Sequence, residues 1–253
     1  MKEIYAKIHN LMQTNKAGAL GTVVSGRPDL CPQGTKFLLD EQGTELLGRF
    51  DAKLLDLFKA PVQAAIAAKA PRMIESMLDG HPLKVFVDPI FPRARLVILG
   101  GGHIALPLVN LGKMLNYQVT VVDDRFEFAN DDRFPEADQV VCKDFASAIR
   151  EMPFDQNTHV IIVTRGHRHD KTCLNEILSK PACAYVGMIG SRRKVALLLE
   201  DLGSEGFSPE ILAKVFAPVG LKIGAQTPEE IAVSIMAELI MVNRKGFCKG
   251  LEG

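Results

Sequence analysis

The hydrophobic pattern of the chain changes character near residue 90. Before that point it is mixed. Ile4, Ile8, Leu11 and Met12 fall on one helical face within residues 3–14. Ala19–Val24 reads as a short strand, and residues 25–34, dense in Gly and Pro, as a loop. Lys36–Leu39 reads as a second strand closed by the turn at 40–43. Residues 51–70 have helical spacing, but Pro61 predicts a break with a new helix starting there. Leu83–Val87 predicts another strand, and the two-proline stretch Asp88–Ala94 an interdomain linker.

After residue 94 Val- and Ile-rich runs alternate with helical patterns, as in a parallel sheet with crossover helices. The runs predict strands at 95–99, 118–123, 139–142, 159–164 and 184–189. They are nearly continuous in apolar residues, as expected when both sheet faces are covered. Helices are predicted near 103–116, 144–150, 170–179, 192–202, 208–214 and 228–243. The last has a strong start signal: Thr227 as cap, Pro228 in the first turn and Glu230 completing a capping box. From Ile231 to Val242 it is apolar nearly all round, which predicts burial. The fold class is therefore α/β, with a smaller N-terminal α+β domain over 1–90 and a parallel-sheet domain over 91–253.

Composition narrows the function classes. The 30 basic and 30 acidic residues cancel, which argues against a nonspecific nucleic-acid binder. The longest apolar runs are too short to span a membrane, and Met1-Lys-Glu-Ile-Tyr lacks a secretory leader's apolar core. Cys31, Cys142, Cys173, Cys183 and Cys248 are scattered, with no C-x-x-C pair, so a reducing, cytoplasmic setting is expected. Cys142 and Cys183 read as buried, inert thiols, and Cys173 falls in a helical stretch. Cys31 sits in a Pro/Gly loop and reads first as a plain loop cysteine, with an exposed, reactive thiol as the alternative.

Candidate chemistry gathers at predicted strand ends. Arg95-Leu-Val-Ile-Leu-Gly-Gly-Gly-His-Ile-Ala105 reads as a strand, a phosphate-approaching turn and a helix start. Gly100 allows the reversal, with Gly101 beside it. Gly102 admits an anion to the backbone, and Ala105 stands at the third glycine position of the fingerprint. His103 either contacts a ligand or only caps the helix. Asp123 ends the next strand, where a ribose-binding acid is expected. Thr164-Arg-Gly-His-Arg-His-Asp170 offers Arg165, His167 and His169 to an anionic or heteroaromatic ligand, with Asp170 as a helix N-cap. The spacing of the two histidines does not favour a metal, and none is expected. In Gly187-Met-Ile-Gly-Ser-Arg-Arg-Lys194, Gly190 and Ser191 precede three cations in a first helical turn. Such cations oppose the helix dipole by roughly 0.3–1 kcal/mol each when unpaired. A bound anion at Ser191, Arg192 or Arg193 would reverse that sign. Pro218–Thr227 is either a flap over the ligand or a plain connector.

Taken together, these segments resemble the xanthine dehydrogenase accessory factor (XdhC/CoxI) family. The resemblance rests on the Gly-Gly-Gly-His turn, Val119–Arg125, Thr164–Asp170, Tyr185–Lys194 and Gly224–Ser234, and covers residues 95–245 densely. It implies an N-terminal domain joined to a C-terminal Rossmann domain. It also implies a maturation role: binding molybdenum cofactor, keeping it available for sulfuration and delivering it to a molybdenum hydroxylase. A homodimer and a cysteine desulfurase partner are implied as well. The N-terminal domain departs from the family. Thr22–Ser25 and Pro32–Lys36 resemble its first strand and loop, but Leu30-Cys-Pro-Gln33 replaces a Ser-Pro-Arg element. The family's Gly-Gly-Gly-Cys-x-Glu segment is missing, and Gly48–Lys53 stands there with neither Cys nor Glu. Cys31 is then the candidate thiol for cofactor handling.

The expectation is a non-catalytic cofactor-binding accessory factor. Gly100–His103 and Gly190–Arg193 would hold the phosphate of the pterin or its nucleotide form, and Arg165, His167 and His169 would face the ring or metal-bearing part. An NAD(P)-dependent oxidoreductase explains the glycine turn and Asp123 equally well. A nucleotide-sensing regulatory module remains a third reading.

Overall fold

The computed structural model of the protein describes residues 2–14, 16–48, 52–180 and 183–244. The chain divides into two compact units, Met1–Arg93 and Ala94–Gly253.

The first unit runs α1 (Lys2–Gln13), β1 (Gly18–Ser25), β2 (Lys36–Asp40), β3 (Glu45–Leu47), α2 (Ala52–Ala68), β4 (Arg72–Leu78) and β5 (His81–Ile90). Its strands form one antiparallel sheet in the order β3-β2-β1-β5-β4. The break expected at Pro61 does not occur: α2 is continuous through it. Leu54, Phe58, Val62 and Ala65 recur three or four residues apart and are all buried, and Phe58 stacks on Phe37 at 4.7 Å. Burial worth about 1.5–3 kcal/mol per large side chain outweighs a proline cost of about 3 kcal/mol. β4 was not expected. Its Met73 and Met77 are half exposed or more, so the sequence shows no consistent inner face. The stretch assigned to a linker is strand as far as Ile90. Pro89 pairs with Ala19 beyond the last β4 pairing at Arg72–Val87, so only one neighbour is present there, a setting that tolerates proline.

The second unit runs β6 (Arg95–Leu99), α3 (Ala105–Met114), β7 (Gln118–Asp123), β8 (Gln139–Cys142), α4 (Phe145–Glu151), β9 (Thr158–Ile162), α5 (His167–Leu178), β10 (Tyr185–Met188), α6 (Arg192–Ser204), α7 (Pro209–Leu212), β11 (Val215–Phe216) and α8 (Pro228–Asn243). All six strands are parallel, in the order β11-β10-β9-β6-β7-β8. α3 and α8 bury one face of the sheet, and α4, α5 and α6 the other. This explains the unbroken apolar strands. The chain begins at β6, winds outward through β7 and β8, then returns to β9 on the other side. The strand order therefore reverses between β6 and β9, and ligands of such sheets bind outside the carboxyl ends at that point. The capping box on α8 forms as expected, with Thr227 and Glu230 bonding each other's backbone N–H. α8 is not buried on every side: Val233 and Ile240 are exposed. Among the described residues no helix is long and apolar enough to cross a membrane.

Candidate functional site

The glycine turn sits at the reversal. Gly100 has φ +115°, and its N–H donates to Val122 O at 2.7 Å. A Cβ there would lie 2.5 Å from Val163 O, so the turn presses against the end of β9. A Cβ on Gly101 would meet Phe128 O at 1.8 Å. Gly102 is different, because a Cβ there meets nothing within 4 Å. The space a phosphate would occupy is thus open at Gly102. α3 starts behind it with no side-chain cap at Ile104; Ala105 N–H donates to Gly102 O at 3.1 Å and Pro107 has no N–H, which leaves the Leu106 N–H of the first turn for an anion. His103 is exposed and makes no cap bond, and Ala105 is fully buried where α3 meets the sheet.

Asp123 is occupied by the protein itself. It is 2% exposed and accepts the Gly101 N–H at 2.9 Å and the Arg125 N–H at 3.1 Å. The Arg125 guanidinium adds bonds at 2.9 and 3.1 Å to its two oxygens. Burial alone would raise this carboxyl, but the guanidinium and the two backbone donors outweigh it and hold it below the usual range. Arg125 lies 3.6 Å over the Phe128 ring, and Arg133 Nε donates to Gly101 O at 3.1 Å. A ribose would have to displace Arg125 to reach Asp123. Sequence reasoning missed Arg125, Arg133 and Phe128. The Asp123-Asp124-Arg125 run was the available signal.

The Thr164–Asp170 loop behaves differently from expectation at three positions. Asp170 is not an N-cap: α5 begins at His167 with Gly166 as cap, and Asp170 is fully buried one turn in. It accepts Thr164 Oγ1 and Lys194 Nζ, both at 2.5 Å. Arg165 pairs with Asp124 at 3.1 Å. Since Arg165 follows β9 and Asp124 follows β7, this pair bridges the strands flanking β6, beside the glycine turn. Asp124 Oδ1 is buried with no hydrogen-bond partner, an acceptor that a ligand donor could satisfy. His167 is exposed, whereas His169 packs edge-on against Phe145 at 5.5 Å, so the two histidines do not converge. Among the described residues no group of His, Cys, Asp or Glu is placed to hold a metal ion.

Ser191 caps α6, accepting the Lys194 N–H at 3.2 Å. Arg192 and Arg193 are exposed in the first turn, while Gly190 and Arg192 line a cleft with the 218–225 loop. The third cation of the turn, Lys194, is committed to Asp170. A chain of contacts therefore joins the three motifs: Gly100 against Thr164, Thr164 to Asp170, Asp170 to Lys194. The 218–225 loop is a tethered wall rather than a free flap, since Val219 N–H donates to Met188 O and Ser234 Oγ to Leu221 O.

The cysteines also correct the sequence reading. Cys31 is fully buried in the first unit's core, and burial pushes its thiol up. The alternative of an exposed, reactive thiol in this loop is therefore not met. Cys142, expected to be buried, is exposed at the end of the edge strand β8. Cys173 is buried, and burial with the nearby Asp170 and Asp124 charges raises it; burial pushes Cys183 up to about 11. Cys248 and Arg49–Asp51, part of the stretch replacing the family's Cys/Glu segment, lie outside the described residues.

A doubly wound parallel sheet with an open glycine turn, an uncapped helix start and basic strand-end loops defines a Rossmann-type domain. Comparison with known proteins narrows this class. The XdhC Rossmann domain matches residues 96–239, and the chain belongs to the XdhC family. It is 26% identical to "Uncharacterized protein YqeB" of Escherichia coli (strain K12), covering 94% of this chain and 46% of that protein. It is 34% identical over 161 residues to a probable xanthine dehydrogenase subunit of Bacillus subtilis (strain 168), covering 64% of this chain and 46% of that one. The chain thus spans just under half the length of these curated relatives. A crystal structure described as a xanthine dehydrogenase from Bacillus halodurans shares the fold, with TM-score 0.55 and 20% identity across 100% of this chain and 98% of that one.

Proposed function

We propose that the protein is a cofactor-handling accessory factor for a xanthine dehydrogenase-type molybdenum hydroxylase. Its cargo is the molybdenum cofactor, bound through the phosphate of its pterin or of its nucleotide form. The reading is supported by family membership and by one structural observation: the contact chain Gly100–Thr164–Asp170–Lys194 links three anion-suited motifs at the carboxyl end of the sheet. The residues present fit a phosphate. Gly102 leaves room, the α3 start offers the Leu106 N–H, and Ser191, Arg192 and Arg193 stand at the second helix start. Asp124 Oδ1 supplies a buried acceptor for a ligand N–H or O–H. The chain's own part is to bind and orient the cargo and to shield it from solvent. Delivery to the hydroxylase, sulfuration with a cysteine desulfurase, a homodimeric state and a cytoplasmic location complete the proposal.

A second reading has its own observation. Arg125 at the end of β7 stands where a Rossmann domain meets the 2′-phosphate of NADP. One experiment separates the two. The protein is purified from cells that make molybdenum cofactor and denatured, then assayed for released pterin fluorescence and molybdenum. NADH and NADPH are titrated in parallel. Pterin and molybdenum in the released fraction support the first reading, and tight nicotinamide binding without pterin overturns it.

A further inference from the structure

A cleft of about 550 Å³ opens at the carboxyl ends of β10 and β11. Ile189, Val219 and Ile231 give it apolar walls, and Arg192 lines it from the start of α6. α8 contributes Ser234 and Glu238 to its lining. Glu238 is the anomaly. It is 8% exposed on an apolar helix, where a carboxylate costs several kcal/mol unless partnered. Its one partner among the described residues is the Tyr185 hydroxyl, which donates to Oε1. Tyr185 is itself buried, and burial together with Glu238 keeps its phenol protonated well above the usual range. The pair therefore consists of a committed donor and a carboxylate with lone pairs to spare on Oε1 and all of Oε2. The Ser234 hydroxyl donates its proton to Leu221 O at 2.8 Å, and Glu238 is the one acidic side chain among the cleft's lining residues.

A carboxylate between apolar walls selects a flat ring with adjacent N–H donors, because both of its oxygens can then be met at once. Guanine and pterin share that edge: an amino group beside a lactam N–H. We propose that this cleft binds such a ring, read by Glu238 and with the ligand's anionic group toward Arg192. For a pterin this rests on the cofactor-handling reading above, and it moves the ring from the Arg165–His169 loop to the α8 side.

The test titrates the full chain with GMP, IMP and pterin-6-carboxylate, whose carboxylate stands in for phosphate. IMP lacks the amino group. GMP or pterin-6-carboxylate should bind about tenfold or more tighter than IMP, the discrimination of a good bidentate contact. Glu238→Gln should erase that preference in a protein shown by circular dichroism to be folded. Whichever of the two binds tighter identifies the ring. Arg192→Ala, at an exposed position, keeps the test open if the Glu238 variant does not fold. It should weaken GMP about tenfold and leave guanosine unchanged. Equal binding of GMP and IMP, a preference that survives Glu238→Gln, or no binding of any probe overturns the inference. Its failure is separable from that of the proposed function. If pterin co-purifies equally with wild type and Glu238→Gln, the cleft assignment falls and the accessory role stands. If no pterin co-purifies but the GMP preference depends on Glu238, the reverse holds.

Discussion

Lys194→Met removes one cation from a buried carboxylate and leaves the rest of the site in place. Asp170 is fully buried, and its two oxygens are met by Thr164 Oγ1 and Lys194 Nζ. Breaking a buried pair from one side typically costs about 3–5 kcal/mol, because the remaining charge is stranded. Two features reduce that here. The Lys194 side chain is 30% exposed, so water reaches its end of the pair, and Asp170 keeps its Thr164 bond. The expected loss is about 2–3 kcal/mol, which for a domain of this size lowers Tm by about 4–12 °C. Thermal melting by circular dichroism reads it directly. The double variant Asp170→Asn/Lys194→Met should recover most of the loss, because no charge is then stranded and Asn still accepts from Thr164. A shift below about 2 °C in the single variant, or a double variant no more stable than the single, would refute the reasoning. The same variant should weaken phosphate binding, since the pair fixes the start of α6 against the β9 loop.

Three further outcomes follow from the same geometry. Gly102→Ala should melt like wild type while losing anion binding, since its Cβ enters open space; Gly101→Ala should cost more than about 2 kcal/mol, since its Cβ would sit 1.8 Å from Phe128 O. Equal melting temperatures for the two would contradict this. Asp123, held below its usual range, contributes stability above about pH 4 that is lost as pH falls through its depressed folded value. Asp123→Asn should therefore cost about 2 kcal/mol at pH 7 and progressively less in acid, and a gap constant from pH 7 to 3 would count against it. In native thiol labelling Cys142 should react fast and Cys31 and Cys173 only on unfolding, with a Cys142→Ser control; Cys31 reacting at the Cys142 rate would show that its burial is wrong.

The second unit was legible because its signals are local and agree with one another. Apolar runs, glycines and caps located β6 to β10 and α8 within a few residues, and the capping box was readable from Thr227 and Glu230 alone. β11 has only two residues, too few to show a period. In the first unit, α2 shows a local rule overridden by packing, since the face from Leu54 to Ala65 carries the helix through Pro61. β4 hides because its methionines face outward. Cys31 illustrates the limit of composition: a Pro/Gly loop suggests exposure, yet this loop folds its thiol into the core.

The site was legible as a set of positions but not as a set of roles, and the reason is pairing across the sheet. Residues that sequence reading treats separately turn out to be partners: Asp123 with Arg125, Asp124 with Arg165, Asp170 with Lys194. One of these pairs takes Arg165, a cation that the sequence reading offered to a ligand, and the other two take cations it had not assigned. What stays uncommitted among the described residues is asymmetric. Arg192 and Arg193 lie on the β10 side, Arg168 at the α5 start after β9, and the open Gly102 on the β6 side. Paired arginines still attract an anion, but the acid beside each offsets its charge, so the net attraction falls at the α5 and α6 starts. A ligand anchored at the α6 start reaches the Glu238 cleft, which Arg192 also lines, rather than the covered Asp123. This asymmetry argues for a ring seated beside α8 rather than an adenosine laid over β7.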